Sequence, residues 1–168
     1  GQGTSISACV PGTYKDSVGS EACTQCDAGK FSNTTGATDS STCSACGDNQ
    51  ISTAGSSTCT HCEAGKEPNS TRDMCVECIP EHWSTATTTC TQWITCDASD
   101  GKEVMRQGST SSDQICKCKA GYSGDGTTCT LCDAGKYGSS GVSCTDCPAG
   151  KYSAVTGATS SSTCQTCP

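Results

Sequence analysis

Large apolar side chains are sparse along this chain and occur at one place in each interval between cysteines. They stand five residues after a cysteine, with Glu67 as the exception after Cys62. The positions are Tyr14, Phe31, Ile51, Trp83, Tyr137 and Tyr152. The stretches between them are rich in Ser, Thr and Gly and lack the spacing of an amphipathic helix. The pattern therefore predicts short two-stranded β-ribbons and turns, with little helix.

A glycine turn precedes most of these large side chains. The phrase Ala-Gly-Lys occurs at 28–30, 64–66, 134–136 and 149–151. Glycine readily adopts the positive φ that such tight turns require. We therefore expect each turn to fold its aromatic ring back over the neighbouring disulfide, which would give each unit a miniature core.

Cysteines set the period of this pattern. Of the 19 cysteines, most lie in seven Cys-x-x-Cys pairs separated by polar loops, and the spacing changes only between Cys78 and Cys129. The pairs are Cys23/Cys26, Cys43/Cys46, Cys59/Cys62, Cys75/Cys78, Cys129/Cys132, Cys144/Cys147 and Cys164/Cys167. A fixed period of this kind indicates an array of small repeated units.

One disulfide scheme treats every unit alike, although sequence alone leaves the connectivity open. The second Cys of each pair opens a loop that closes on the first Cys of the next pair. The predicted bonds join Cys9 with Cys23, Cys26 with Cys43, Cys46 with Cys59, Cys62 with Cys75, Cys78 with Cys90, Cys96 with Cys116, Cys118 with Cys129, Cys132 with Cys144 and Cys147 with Cys164. Cys167 is left over, so we expect its partner beyond residue 168 or in another molecule.

Composition explains why disulfides are needed. Hydrophobic residues make up 32% of the chain, but this figure includes the 19 cysteines, and only one Phe, four Tyr and two Trp are present. Folding must offset about 1 to 2 kcal/mol of backbone entropy per residue. A disulfide that closes a loop of about 15 residues contributes about 3 kcal/mol in the chain-entropy account. We expect reduction to unfold the chain.

Several features indicate an extracellular or cell-surface protein of the secretory pathway. A high cysteine content in a Ser/Thr/Gly-rich chain is typical of oxidised, secreted scaffolds. The sequons Asn33-Thr34-Thr35 and Asn69-Ser70-Thr71 predict N-linked glycans at Asn33 and Asn69. No apolar run of about 18 residues and no signal peptide at Gly1 are present. We therefore expect a processed form or a segment of a longer protein.

The net charge of -7 argues against a nucleic-acid partner and favours a role in solubility. Cys-x-x-Cys pairs also occur in zinc ribbons and redox sites. Here the spacing does not hold to groups of four ligands, only His61 and His82 are available to supplement the cysteines, and the pair is repeated seven times. Carboxylates are scattered. The sequence therefore predicts no metal, no cofactor and no catalytic residue, so the protein is not expected to be an enzyme.

The best copies of the unit run from Cys26 to Cys46 and from Cys147 to Cys167. Both contain Ala-Gly-Lys, an aromatic residue and Ser, then Thr-Gly-Ala-Thr and Ser-Ser-Thr-Cys-x-x-Cys or its near equivalent. This arrangement resembles the ephrin-receptor-like cysteine-rich repeat, over residues 9–78 and 129–168. The resemblance implies a small disulfide-rich fold, an elongated rod of tandem single-disulfide β-ribbon units with a minimal hydrophobic core.

The centre of the chain has a different pattern. The order Cys-x11-Cys-x5-Cys-x19-Cys-x-Cys from Cys78 to Cys118, with Asp113-Gln114-Ile115 before its last pair, resembles a tumour necrosis factor receptor module. The stretch from Cys118 to Cys129 resembles the end of an EGF-like module. These resemblances imply three segments, at 1–77, 78–131 and 132–168, the last with an incomplete final unit.

For true receptors of that family the central loops grip a ligand. Carried onto this sequence, the resemblance implies partner contacts at Trp83, Trp93 and Arg106, since Trp and Arg are enriched at binding hot spots. For Trp93, packing within or between units is the alternative.

Two function hypotheses follow. In the first, the chain is a structural segment of an extracellular stalk, adhesin or glycoprotein filament, in contact with itself or with other extracellular proteins, carrying N-linked and O-linked glycans. In the second, it is the ligand-binding ectodomain of a tumour necrosis factor receptor-like surface receptor. A membrane span beyond Pro168 would favour the receptor, and further Cys-x-x-Cys units would favour the stalk.

Overall fold

The computed structural model describes residues 7–17 and 19–168, and these form short strands, turns and disulfide-closed loops. Helical structure within these ranges is limited to two 3₁₀ turns, Ser40–Thr42 and Ser161–Thr163. Each turn begins at a capping side chain, Asp39 or Ser160, which accepts a hydrogen bond from a backbone N–H two residues on. No helix in the described part of the chain is both long and apolar enough to cross a membrane.

The strands of the described residues pair as nine antiparallel hairpins. They are β1 (Thr13–Tyr14) with β2 (Thr24–Gln25), β3 (Lys30–Phe31) with β4 (Ser44–Ala45), β5 (Gln50–Ile51) with β6 (Thr60–His61), β7 (Lys66–Pro68) with β8 (Cys75–Glu77), β9 (His82–Trp83) with β10 (Thr91–Gln92), β11 (Lys102–Arg106) with β12 (Ile115–Cys118), β13 (Tyr122–Gly124) with β14 (Cys129–Leu131), β15 (Lys136–Tyr137) with β16 (Thr145–Asp146), and β17 (Lys151–Tyr152) with β18 (Gln165–Thr166). In most hairpins the first strand follows the glycine turn, and the second includes the residues between the cysteines of a Cys-x-x-Cys pair.

Nine disulfides close nine loops, and they are the nine pairs of the sequence-based scheme. We number them loop 1 (Cys9 with Cys23), loop 2 (Cys26 with Cys43), loop 3 (Cys46 with Cys59), loop 4 (Cys62 with Cys75), loop 5 (Cys78 with Cys90), loop 6 (Cys96 with Cys116), loop 7 (Cys118 with Cys129), loop 8 (Cys132 with Cys144) and loop 9 (Cys147 with Cys164). Cys167 is a free, exposed thiol. The predicted fold class of tandem disulfide-stapled β-ribbon units with little helix is confirmed.

Two compact units divide the chain. Unit 1 contains the residues up to Gln92 together with Ser109–Ser112, and unit 2 contains Trp93–Gly108 and Asp113–Pro168. The predicted boundaries near 78 and 131 rest on cysteine spacing and stay a prediction. Loops 1 to 5 lie in unit 1, and loops 7 to 9 lie in unit 2.

The buried interior consists of cystines and small side chains. Apart from cysteines, the buried apolar residues in the described ranges are Ala37 and Ala158. The large side chains five residues after the loop-opening cysteines are only half-buried, and Tyr152 is 43% exposed. These side chains are therefore not fully buried, and the idea that each ring covers its own disulfide stays a prediction. A single short loop cannot enclose a ring, whereas small side chains let neighbouring backbones approach closely.

The residue three places after the loop-opening cysteine always adopts a positive φ in the repeating loops. These residues are Gly12, Gly29, Asn49, Gly65, Glu81, Gly121, Gly135 and Gly150. At Gly12 a Cβ would collide with the carbonyl oxygen of Gly55, two loops further on. Asn49, which tolerates this conformation, instead uses its side chain, and its Nδ2 donates to Thr85 O at 3.1 Å. At Gly12 and Asn49 the turn thus contacts a loop two places along the chain.

Backbone hydrogen bonds join consecutive loops at the same turn. Gly12 N donates to Ser32 O at 2.6 Å, and Gly29 N donates to Ser52 O at 2.9 Å. The same bond runs from Gly65 N to Ser84 O in unit 1 and from Gly135 N to Ser153 O in unit 2. Because these loops use equivalent atoms, their hairpins are held by a neighbouring loop as well as by their own disulfides.

Candidate interaction surface

The longest hairpin of the described residues, β11 with β12, lies in the central segment whose sequence differs from the other units. Lys102 pairs with Cys118, Glu103 with Lys117 and Val104 with Cys116, and a bulge at Met105 then shifts the register so that Arg106 pairs with Ile115. The Cys96 to Cys116 disulfide ties β12 to the start of loop 6. Lys117 Nζ and Glu103 Oε1 form an ion pair at 3.1 Å.

This hairpin presents three large apolar side chains to solvent. Val104 is 44% exposed, Met105 67% and Ile115 41%. Arg106, a predicted partner contact, is exposed at the end of β11. We define Glu103, Val104, Met105 and Arg106 as the β11 edge. An exposed apolar cluster bordered by charges is typical of an interaction surface.

Trp93, a second predicted contact, is half-buried against backbone in unit 2. A Cβ on Gly108 would lie 2.5 Å from the Trp93 ring, so the ring lies directly on that glycine. Beside it, Ile94 N donates to Asp113 Oδ1 at 2.8 Å. The packing alternative for Trp93 thus has a structural basis, and its role in binding stays a prediction.

Trp83, the third predicted contact, lies on β9 in unit 1. The residue is half-buried and pairs with Thr91 across the hairpin. Its indole Nε1 is buried without a hydrogen-bond partner. A buried, unpaired donor costs free energy, and because this atom is not accessible it offers no contact to a partner. A role of Trp83 in binding is likewise a prediction.

The two sequons occupy different environments. Asn33 is exposed in loop 2. Asn69 is half-buried, and its side chain ends a turn: Nδ2 donates to Asp73 Oδ1 at 2.7 Å, while Asn69 Oδ1 accepts from Asp73 N at 3.1 Å. The sequon hydroxyl of Thr71 also donates to Asp73 Oδ1, at 2.8 Å. Asn33 therefore presents its amide to solvent more openly than Asn69 does.

An acidic turn follows β13 in the stretch that resembles an EGF-like module. Asp125 Oδ1 accepts hydrogen bonds from Thr127 Oγ1 at 2.7 Å, Thr127 N at 2.9 Å and Thr128 N at 3.2 Å. These donors, chiefly the Thr127 hydroxyl, lower the pKa of Asp125 to about 2. Nearby, the Asp146 carboxylate accepts a hydrogen bond from Lys136 and raises the pKa of that ammonium group. Asp125 thus stabilises a turn, whereas Lys136 and Asp146 join the two strands of the β15–β16 hairpin.

Few side chains of the described residues are available for metal binding or thiol chemistry. Eighteen cysteine sulfurs are used by the nine disulfides, which leaves the Cys167 thiol. Across residues 7–17 and 19–168, no group of three or more His, Cys, Asp or Glu side chains is close enough together to hold a metal ion. His61 Nε2 instead contacts Gln50 Nε2 across the β5–β6 hairpin at 2.9 Å.

Sequence reasoning missed the serine six residues after the loop-opening cysteine. Ser32, Ser52, Ser84 and Ser153 are all at least 95% buried. Ser84 Oγ donates to Lys66 O at 2.9 Å and accepts from Gly65 N at 3.0 Å, and so links loop 5 to loop 4. The repeated phrase Ala-Gly-Lys-aromatic-Ser contained this signal, but the serine hydroxyl gave no reason to expect burial.

Comparison with known proteins supports the first of the resemblances. Residues 6–43 are similar to the family described as tyrosine-protein kinase ephrin type A/B receptor-like. This stretch spans loop 1 and loop 2 of unit 1. No curated protein sequence matches the chain.

Proposed function

We propose, from the ephrin-receptor-like cysteine-rich repeats that this chain carries, that it is a non-catalytic structural segment of an extracellular stalk, adhesin or glycoprotein filament. The observation that carries the proposal is the repeated link between loops. In both units a turn N–H donates to the serine carbonyl of the next loop, as Gly12 does to Ser32 and Gly135 does to Ser153. Covalent closure of every loop and hydrogen bonding to the next are suited to a durable spacer.

The proposed extracellular location is supported by the disulfides and by the candidate glycosylation sites. Nine disulfides persist in an oxidising compartment and are rare in the cytosol. Exposed Asn33 is the preferred acceptor for an N-linked glycan, and the many exposed Ser and Thr residues are suited to O-linked glycans. Cys167 stands where other units have a loop-opening cysteine, and its N–H donates to Gly150 O at 2.9 Å. We assign it to a disulfide with a further cysteine, in the same protein or in another molecule.

Limited proteolysis tests the structural role. The folded chain is expected to resist trypsin because its Lys and Arg residues, apart from Lys117, lie in disulfide-closed loops. After reduction and alkylation, cleavage is expected to be much faster, because the disulfides no longer hold the cleavage sites in the folded structure. Equal cleavage rates for the oxidised and reduced chains would refute the proposal.

The location is tested in cells of the source organism. An antibody to the chain is expected to label intact, unpermeabilised cells, and removal of N-linked glycans is expected to lower the mass of the labelled protein. Replacement of Asn33 by Gln should abolish most of this mass shift, and Asn69→Gln is the matched comparison. Labelling only after permeabilisation, or a chain with reduced cysteines, would contradict an extracellular role.

A further inference from the structure

We propose that the β11 edge is a self-association surface at which two copies of the chain pair through β11 in antiparallel orientation. The inference deepens the proposed structural role, on which it rests for the identity of the partner, by naming the surface that a second copy contacts. It goes beyond the receptor resemblance, which points to a ligand of a different kind.

The edge is open for a further strand. β11 has five residues and, within the described part of the chain, pairs with β12 on one side only. The other side of β12 is closed, since a Cβ added to Gly126 would collide with Cys116 O and one added to Gly141 would collide with Cys118 O. An unpaired strand edge offers N–H and C=O groups to another strand. In this hairpin only β11 does so, beyond Lys102, whose N–H already donates to Asp97 O at 3.0 Å.

The bulge places opposite charges on one face of β11. Glu103 lies opposite Lys117, and Arg106 lies opposite Ile115. Residues 115 and 117 alternate with the buried Cys116 and Cys118, so they share the outward face. Glu103 and Arg106, although three residues apart, therefore also share that face. A regular strand would have placed them on opposite faces.

Two-fold symmetry makes this strand complementary to itself. When two β11 strands pair with their centre between Val104 and Met105, Glu103 of one copy lies opposite Arg106 of the other, and symmetry repeats the pair. The exposed Val104 and Met105 then face each other across the new contact. Shifting the register by one residue would separate the charges, so the pattern specifies this register.

Charged residues and bulges often protect an edge strand from pairing. A protected edge would repel a second copy, whereas here the opposite charges face each other. Because two five-residue strands bury far less than a standard interface, the association is weak and depends on concentration. It is also screened by salt, since the charges are exposed.

The test measures dimer dissociation by sedimentation up to about 1 mM protein. All proteins carry Cys167→Ser, which excludes a disulfide-linked dimer. Glu103→Arg and Arg106→Glu are each expected to raise the dissociation constant about tenfold, because each turns two attractive contacts into repulsive ones. The double variant E103R/R106E restores the pairing to within about threefold of the parent. Glu21→Arg and Lys151→Glu reproduce the charge changes elsewhere and should leave dimerisation unchanged.

Each other outcome overturns the proposal. A parent that stays monomeric at about 1 mM has no self-association. Single variants that dimerise like the parent, or a double variant as weak as the singles, place the contact at another surface. Mass and circular dichroism check that each variant keeps nine disulfides and its fold. A monomeric parent that still resists trypsin refutes edge pairing and leaves the structural role intact, whereas rapid cleavage of the oxidised chain refutes the structural role.

Discussion

At the scale of single residues, stability comes from polar groups whose hydrogen-bond partners belong to a turn or to the next loop. Ser84 is fully buried, and its hydroxyl links the Gly65 and Lys66 backbone to loop 5. Asp125 does the same within one turn at the surface. One such group contributes little to the stability of the fold. Each, however, gives a partner to a backbone N–H or C=O group that would otherwise be unpaired at a cost in free energy.

Replacing Ser84 by Ala is expected to lower the free energy of unfolding by about 1 to 3 kcal/mol, because Lys66 O loses a buried donor. Urea unfolding of the oxidised chain measures the change. Ser57→Ala, at an exposed serine of loop 3, is the control and should change the free energy by less than about 0.5 kcal/mol. Equal effects at the two serines would contradict a linking role for Ser84.

Asp125 is expected to titrate with a pKa of about 2, below the ordinary 3.8, because three donors stabilise its carboxylate. A lowered folded-state pKa means that its stabilisation is present above 3.8 and is lost as the pH falls through about 2. An NMR titration of the carboxyl carbon measures the value. A midpoint at 3.8 or above would show that the turn does not hold the carboxylate.

At the scale of elements, the glycine turn has two separable roles. All the turn residues adopt positive φ, but they differ in what surrounds them. A Cβ at Gly12 would collide with Gly55 O, whereas at Gly135 no atom lies within 4 Å of the added carbon. The first glycine is needed for both conformation and close approach, and the second for conformation alone.

Gly135→Ala is therefore expected to cost about 1 to 2 kcal/mol, the strain of a left-handed conformation. Gly12→Ala should cost a further 1 to 3 kcal/mol or so, because loop 3 must move away from loop 1. Thermal unfolding of the two variants under oxidising conditions compares them. An equal loss of stability in the two variants would mean that contacts between loops two places apart along the chain do not contribute to stability.

The sequence predicted these elements only in part. Regular Cys-x-x-Cys spacing suggested the disulfide scheme without deciding it, and it predicted the ribbons, since both depend on residues close together in sequence. The buried Ser84 and the contact of Gly12 with loop 3 depend on how loops pack on one another, which spacing does not encode. The incomplete burial of Tyr14 and Tyr137 depends on the same packing between loops, which spacing within one loop does not encode.

At the scale of the whole molecule, covalent closure replaces a hydrophobic core. Among the described residues, burial apart from cysteine is limited to glycines, two alanines and a few polar residues. Removing one native disulfide typically costs about 2 to 5 kcal/mol. Full reduction is therefore expected to abolish the β-hairpin circular dichroism signal at neutral pH, and reoxidation should restore it. A reduced chain that keeps its native spectrum would show that contacts between loops suffice without disulfides.

Disulfide mapping by mass spectrometry of the non-reduced chain tests most directly the claim that each Cys-x-x-Cys pair joins one loop to the next. The account predicts nine bonds, each from a loop-opening cysteine to the next closing one, as from Cys26 to Cys43, and one alkylatable thiol, Cys167. A bond between the two cysteines of a pair, such as Cys23 with Cys26, or between loops that are not adjacent, would contradict it.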